Sequence, residues 1–225
     1  MALEVSSAVQ DYAKAIYSLE QRREGAAVST NALAERLGVS AASASSMAKR
    51  LDGLGLVEHV PYKGVVLTQR GAKVALEVIR HHRLLERFLA EELGVPWDRV
   101  HDEAEVLEHV LSEELEELIA AKLGHPTIDP HGDPIPTAEL EIVEPVTVTM
   151  EGLEVGARGL FVRVSDSDPE MLRYLGVRGI APGERFEIVE KQPFGGPIFA
   201  RFGDEDAVHP LGGRLAAAMR VEVGA

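Results

Sequence analysis

Between Ser29 and Gly55 the chain carries two short helical segments, each with its own start and stop signal, and this stretch limits the fold more than any other. Ser29 and Thr30 are capping residues ahead of Asn31 to Leu37, Gly38 ends that helix, and Ser40 caps a second helix running through Leu51. Gly53 and Gly55 stop it. So short a connection forces the two helices to cross rather than continue. Upstream, Val9, Ala13, Ile16 and Tyr17 recur at helical spacing and predict a first helix over Val9 to Leu19. Downstream, Leu56 to Val60 alternates like a strand, Pro61-Tyr62-Lys63-Gly64 makes a turn, and Val65 to Leu67 returns. Three helices followed by a hairpin predict a winged helix-turn-helix.

In such a motif the second helix of the pair enters the major groove, so its outer face must be small or hydrogen-bonding and its flanks basic. Ser40, Ala42, Ser43 and Ser46 meet the first requirement, and Lys49, Arg50 and the wing's Lys63 meet the second. Serine reads either donors or acceptors, which predicts modest base readout and leaves part of the specificity to DNA shape. The net charge of −14 argues against a polyanionic partner only if it is taken whole. Residues 1–75 hold nine Lys/Arg against seven Asp/Glu, a net of +2, and the remainder holds 14 against 30, a net of −16. A mildly basic head joins an acidic body.

Thr68 caps a long helix from about Arg70 to Leu93, and Val100 to Leu123 has the period of one further, acidic helix. Pro126 to Pro145 is rich in Pro, Asp and Thr and reads as a linker over the surface. Beyond it, Gly159–Val164, Arg185–Val189, Pro197–Phe202 and Ala218–Val223 are short strand candidates between glycine turns, which predicts a small barrel. The whole is an α+β multidomain chain: a winged helix-turn-helix at 1–75, a helical domain with linker at 76–145, and a small SH3-like β-barrel at 146–225. No run of about 18 apolar residues and no signal-peptide pattern occurs, which predicts a cytoplasmic protein without membrane contact.

The chain has no cysteine, so any metal must be held by oxygen and imidazole. Glu105, Glu108 and His109 form an E-x-x-E-H pattern whose i, i+3 and i+4 positions share one helix face, and Asp11 of the first helix can close the site. That closure would tie the DNA-binding head to the helical domain. His82 and Glu86, also i and i+4, form a second candidate cluster with His101. The rival reading is a metal-dependent hydrolase with Glu105 or Glu108 as general base, but the H-E-x-x-H and H-x-x-E-H spacings of zinc peptidases are absent.

The chain resembles the diphtheria-toxin-repressor family over nearly its whole length. The residues that carry the likeness are Asp11-Tyr12, Leu33-Ala34-Glu35-Arg36-Leu37, Leu67-Thr68, His82-Arg83-Leu84-Leu85-Glu86, Val100-His101-Asp102-Glu103-Ala104, Glu108-His109 with Ser112-Glu113, and Pro130-His131-Gly132-Asp133-Pro134-Ile135-Pro136. The resemblance implies a homodimer joined through the middle helices, palindromic operator DNA as partner, and activation by divalent metal, two ions per subunit. Its iron-sensing branch has Met and Cys where this chain has Asp11 and Glu105, which favours Mn²⁺, with Fe²⁺ as the alternative. By resemblance the primary site is Asp11, Glu105, Glu108 and His109, with His82 a further participant. The secondary site is His82, Glu86 and His101 joined by Asp168, with Met171 where a Gln is expected, or instead recruits Asp129 and His131 of the linker. Lys14 stands where the short manganese sensors have a Glu, which argues against their closely spaced metal pair.

Overall fold

The computed structural model describes residues 5–21, 26–204 and 206–224. It divides into two compact units: residues 1–82, 107–111 and 136–141 in the first, and 83–106, 112–135 and 142–225 in the second.

In the first unit, α1 (Ser7–Gln21), α2 (Thr30–Leu37) and α3 (Ala41–Gly53) precede a hairpin of β1 (Val57–Val60) and β2 (Gly64–Leu67). The caps fall where the sequence puts them. Ser29 accepts from Ala32 N, Gly38 takes the left-handed conformation that closes α2, and Ser40 accepts from Ser43 N. Val9, Ile16, Leu33, Ala44, Ala48, Leu51, Leu56 and Val65 are fully buried and form one core, because each helix turns a single apolar stripe inward. The hairpin pairs Val57 with Leu67 and Val60 with Gly64, leaving Tyr62 and Lys63 exposed at its tip. Helix α4 (Gln69–Leu93) follows at once. Thr68 starts it, accepting from Gly71 N while donating to Gly55 O. Gly71 is required there, since a Cβ would lie 1.9 Å from the Leu56 carbonyl oxygen.

In place of one helix over Val100 to Leu123 the chain forms α5 (Val100–Leu107) and α6 (Glu113–Lys122). Ser112 accepts from Leu115 N and so restarts the helix, and the turn between the two frees Glu108 and His109 from helical geometry. Residues 126–145 also depart from expectation, because this stretch is not a surface linker throughout. Asp129, His131 and Ile135 are buried. Asp129 Oδ1 accepts from the backbone of His131 and Asp133, and the Arg83 guanidinium donates to Pro134 O. A Cβ on Gly132 would lie 2.0 Å from the Val162 carbonyl oxygen, so this loop meets the following domain backbone to backbone.

The second unit also holds a six-stranded antiparallel sheet, ordered β3-β8-β4-β5-β6-β7. Its strands are β3 (Val148–Thr149), β4 (Arg158–Val164), β5 (Arg185–Lys191), β6 (Ile198–Phe202), β7 (Val208–Leu211) and β8 (Met219–Val223), with short helices α7 (Pro169–Gly176) and α8 (Gly213–Ala218). Its core includes Phe161, Leu172, Leu175, Ile188, Leu211 and Met219. The small SH3-like barrel is thus present, with two strands, β3 and β7, and the helices α7 and α8 beyond those legible in the sequence. Among the described residues no helix is long and apolar enough to cross a membrane.

Candidate metal centres

In the first unit α1 supplies Asp11 and Lys14, α4 supplies His82, and the turn after α5 supplies Glu108 and His109. One ligand atom each from Asp11, Glu108 and His109 lies within 4.8 Å of the others. His109 Nε2 is 2.9 Å from Asp11 Oδ1 and 3.6 Å from Glu108 Oε1. Its other nitrogen, Nδ1, is 2.8 Å from the Gln10 amide oxygen. With the proton on Nδ1 and donated to Gln10, Nε2 keeps its lone pair toward the two carboxylates, which is how a ligating histidine is normally oriented. Glu108 is held on all sides: its side chain is 0% exposed, His82 Nδ1 stands 2.5 Å from Oε2, and Lys14 donates to both oxygens. Oxygen and imidazole donors around a buried carboxylate fit a borderline divalent ion.

Glu105 belongs to the second unit, exposed on α5 with Oε1 3.9 Å from His101 Nε2. Because α5 ends at Leu107, Glu108 and His109 are presented from the turn that follows it and not from a continuous helix.

The second unit gathers a different set around Glu86, which is buried. His101 Nδ1 is 3.1 Å from Asp166 Oδ2 and 3.4 Å from Glu86 Oε1. Asp129 and His131, both buried, face the same Glu86, whose Oε2 is 3.7 Å from His131 Nδ1. His131 donates from Nε2 to the Trp97 carbonyl oxygen at 2.7 Å and stacks on the Trp97 ring, which leaves Nδ1 without a hydrogen-bond partner among the described residues. A buried imidazole nitrogen facing two carboxylates has the chemistry to take a cation, proton or metal. The Asp166 bond and then the Glu86 bond raise the His101 pKa to about 10. Burial alone would push His131 down, but Glu86 and Asp129 outweigh it and raise the value to about 9. Asp129 itself is pushed well above the usual carboxylate range, by burial first and the Glu86 charge second.

Asp168 does not join this cluster. It is fixed as the N-cap of α7, accepting from Glu170 N, and its other oxygen accepts from Arg214. Asp166, two residues earlier, stands beside His101 instead. Asp168 followed by Pro169 is itself a helix-start signal, and that signal distinguishes the two aspartates. Gln10 and Asp166 carried no sequence mark of their own, whereas Lys14, three residues after Asp11 on α1, shares its face.

On the recognition helix Ala42, Ser46, Lys49 and Arg50 are exposed, as is Lys63 on the wing. Ser40 and Ser43 are exposed too, but Ser40 Oγ accepts from Ser43 N and lies 2.8 Å from Ser43 Oγ, so these hydroxyls partly satisfy each other.

Models of three domains match the sequence: the iron dependent repressor N-terminal DNA binding domain over residues 4–65, the iron dependent repressor metal binding and dimerisation domain over 68–137, and the FeoA domain over 148–223. The iron-dependent repressor IdeR of Mycobacterium tuberculosis is 31% identical over a 239-residue alignment covering 97% of this chain and 98% of that protein. The chain belongs to the diphtheria-toxin-repressor family. Among solved structures, a manganese-dependent transcriptional repressor in complex with manganese is 42% identical, with a TM-score of 0.85 over 96% of this chain and 99% of that one. The manganese regulator SloR is 31% identical, with a TM-score of 0.75 over 96% and 98%. The diphtheria-toxin-repressor family consists of metal-dependent, DNA-binding transcriptional repressors, so the hydrolase reading is set aside.

Proposed function

We propose that Mn²⁺ activates this repressor through a primary centre of Asp11, Glu105, Glu108 and His109, and that the active form is a homodimer on palindromic operator DNA. The observation that carries this reading is the cluster of Asp11, Glu108 and His109, oxygen and imidazole donors that join α1 of the DNA-binding head to the turn after α5 within one unit. A bound divalent ion supplies the charge that lets the Asp11 and Glu108 carboxylates share one site. Asp11 then restrains α1, and through the shared core of Val9, Ile16, Leu33 and Leu51 it restrains the recognition helix. Fixed in this way, the two heads of a dimer can meet successive major grooves about 34 Å apart.

A secondary centre at Glu86 and His101, with Asp166 in place of Asp168, would account for a second ion per subunit. Asp129 and His131 add donors on the other side of the same carboxylate. Leu93, Val106, Leu115 and Leu118 are exposed apolar residues within the stretch matched to the dimerisation domain, and they suit a subunit interface. DNA contact falls to Ser40, Ala42, Ser43, Ser46, Lys49, Arg50 and Lys63.

Manganese is favoured because the cluster lacks sulfur, and because the solved repressor at 42% identity is described as a manganese complex. Fe²⁺ is the second reading, supported by the iron-dependent mycobacterial relative. Intrinsic affinity rises from Mn²⁺ to Fe²⁺ and onward, so metal choice must be read from activation and not occupancy. Operator binding titrated with Mn²⁺, Fe²⁺, Co²⁺ and Zn²⁺ at buffered free-metal concentrations should show full activation by Mn²⁺. Activation by Fe²⁺ with none by Mn²⁺ would reverse the assignment.

A further inference from the structure

Lys14 lies inside the first centre as a cation in its own right. Its Nζ is 3.0 Å from Glu108 Oε1, 2.8 Å from Glu108 Oε2 and 3.2 Å from His82 Nδ1. Both oxygens of the carboxylate are therefore held by one ammonium. The Glu108 side chain is 0% exposed, and an ionised carboxylate so deep needs a positive partner to stay charged. The Lys14 side chain is 20% exposed and sits on a flexible four-carbon stem, so it alone of the pair has a route back to water.

We infer that the Lys14 ammonium is a resident counter-ion of the primary centre, and that the activating divalent ion must displace it from Glu108. Lys14 thereby sets how much free metal is needed to switch the protein on. The inference rests on the assignment of Glu108 as a ligand. An ion coordinated by Glu108 Oε1 between Asp11 and His109 would stand next to an ammonium already 3.0 Å from that same oxygen. The two cations repel, and low effective dielectric strengthens the repulsion. Retraction of Lys14 removes it, and the ion then neutralises Glu108 in its stead. Asp11 and Lys14 lie one helical turn apart on α1, so a single turn brings both a ligand and its competitor to the same carboxylate. Without metal, the lysine occupies both oxygens of Glu108. With metal, the lysine's attraction is the work that binding must overcome, and the affinity is lower than the donor set alone would give.

The test is the Mn²⁺ affinity of the protein without DNA, measured by competition with a chelating indicator, for the parent, Lys14→Met and Lys14→Arg. Lys14→Met keeps the length of the arm and removes its charge. It should tighten Mn²⁺ binding by about tenfold or more while lowering the melting temperature of the metal-free protein. Lys14→Arg should bind Mn²⁺ no more tightly than the parent. If Lys14→Met misfolds without metal, Lys14→Gln tests the same loss of charge with a polar replacement. Mn²⁺ affinity unchanged or weakened in the folded neutral variants would overturn the inference, since a lysine that merely props the site open gives that result. Glu108→Gln measured beside them separates the two levels. Should it keep full Mn²⁺ affinity, the site assignment itself fails. Should it lose the metal while Lys14→Met gains nothing, only the role of Lys14 fails.

Discussion

Glu108→Gln should lower metal-stimulated operator affinity by about 100-fold or more while leaving a folded dimer. Outer-shell partners of a metal typically contribute 10–100-fold to its affinity, so a direct ligand that is fully buried should cost at least the upper end. Gln keeps the shape of Glu108 and one carbonyl acceptor, but removes the charge that Asp11 cannot supply alone. Binding to nonspecific DNA through Lys49, Arg50 and Lys63 should persist and keep its dependence on salt, because it does not involve the ion. The measurement is operator binding at fixed free Mn²⁺, with the dimer verified by sedimentation. A variant with the parent's metal dependence would move activation away from this centre.

The second centre should show a steep dependence on pH. His101 and His131 have pKa values of about 10 and about 9 in the metal-free protein, so both carry a proton at neutral pH. A ligating imidazole must be neutral, so each histidine gives up its proton when an ion binds. Every proton displaced changes metal affinity by about tenfold per pH unit below the pKa. With both histidines engaged, Mn²⁺ affinity should rise about 100-fold per unit from pH 6 to pH 8. Measuring it in Glu108→Gln, where the first centre is disabled, isolates the effect. A tenfold slope would leave one histidine outside the centre, and a flat profile would exclude both. The same shifts have the opposite consequence for the metal-free fold. Both histidines have folded values above the ordinary 6.5, so the stability they add is complete below about pH 6.5. It is lost as pH rises through about 9 and about 10. Metal binding and metal-free stability therefore change in opposite directions with pH.

The DNA-binding head was legible because its signals are local. Ser29, Gly38, Ser40 and Thr68 each act on backbone groups within a few residues, and a reading of caps and periodicity needs nothing more. The helix over Val100 to Leu123 was overextended because its acidic, apolar-striped pattern continues through residues 108–112. The break there accompanies contacts of Glu108 with Lys14 and His82, far away in sequence. The 126–145 stretch has the composition of a solvated linker, and its burial follows from partners such as Arg83 and Trp97 that composition does not reveal. At the second centre the sequence contained Asp166 and Asp168 two residues apart. A cap bond and an arginine decide between them, and only Asp166 reaches His101. Lys14 was legible as a departure from the short manganese sensors, yet its hold on both oxygens of Glu108 required the packed structure.

If metal and operator DNA bind to one coupled state, the Mn²⁺ affinity of the parent dimer must differ with and without operator DNA, and that comparison is the most direct test. Linkage requires the operator to tighten Mn²⁺ by the same factor by which Mn²⁺ tightens the operator, typically between about 5-fold and 150-fold. Both factors should be well above one and agree within error. A Mn²⁺ affinity indifferent to saturating operator would contradict the coupling.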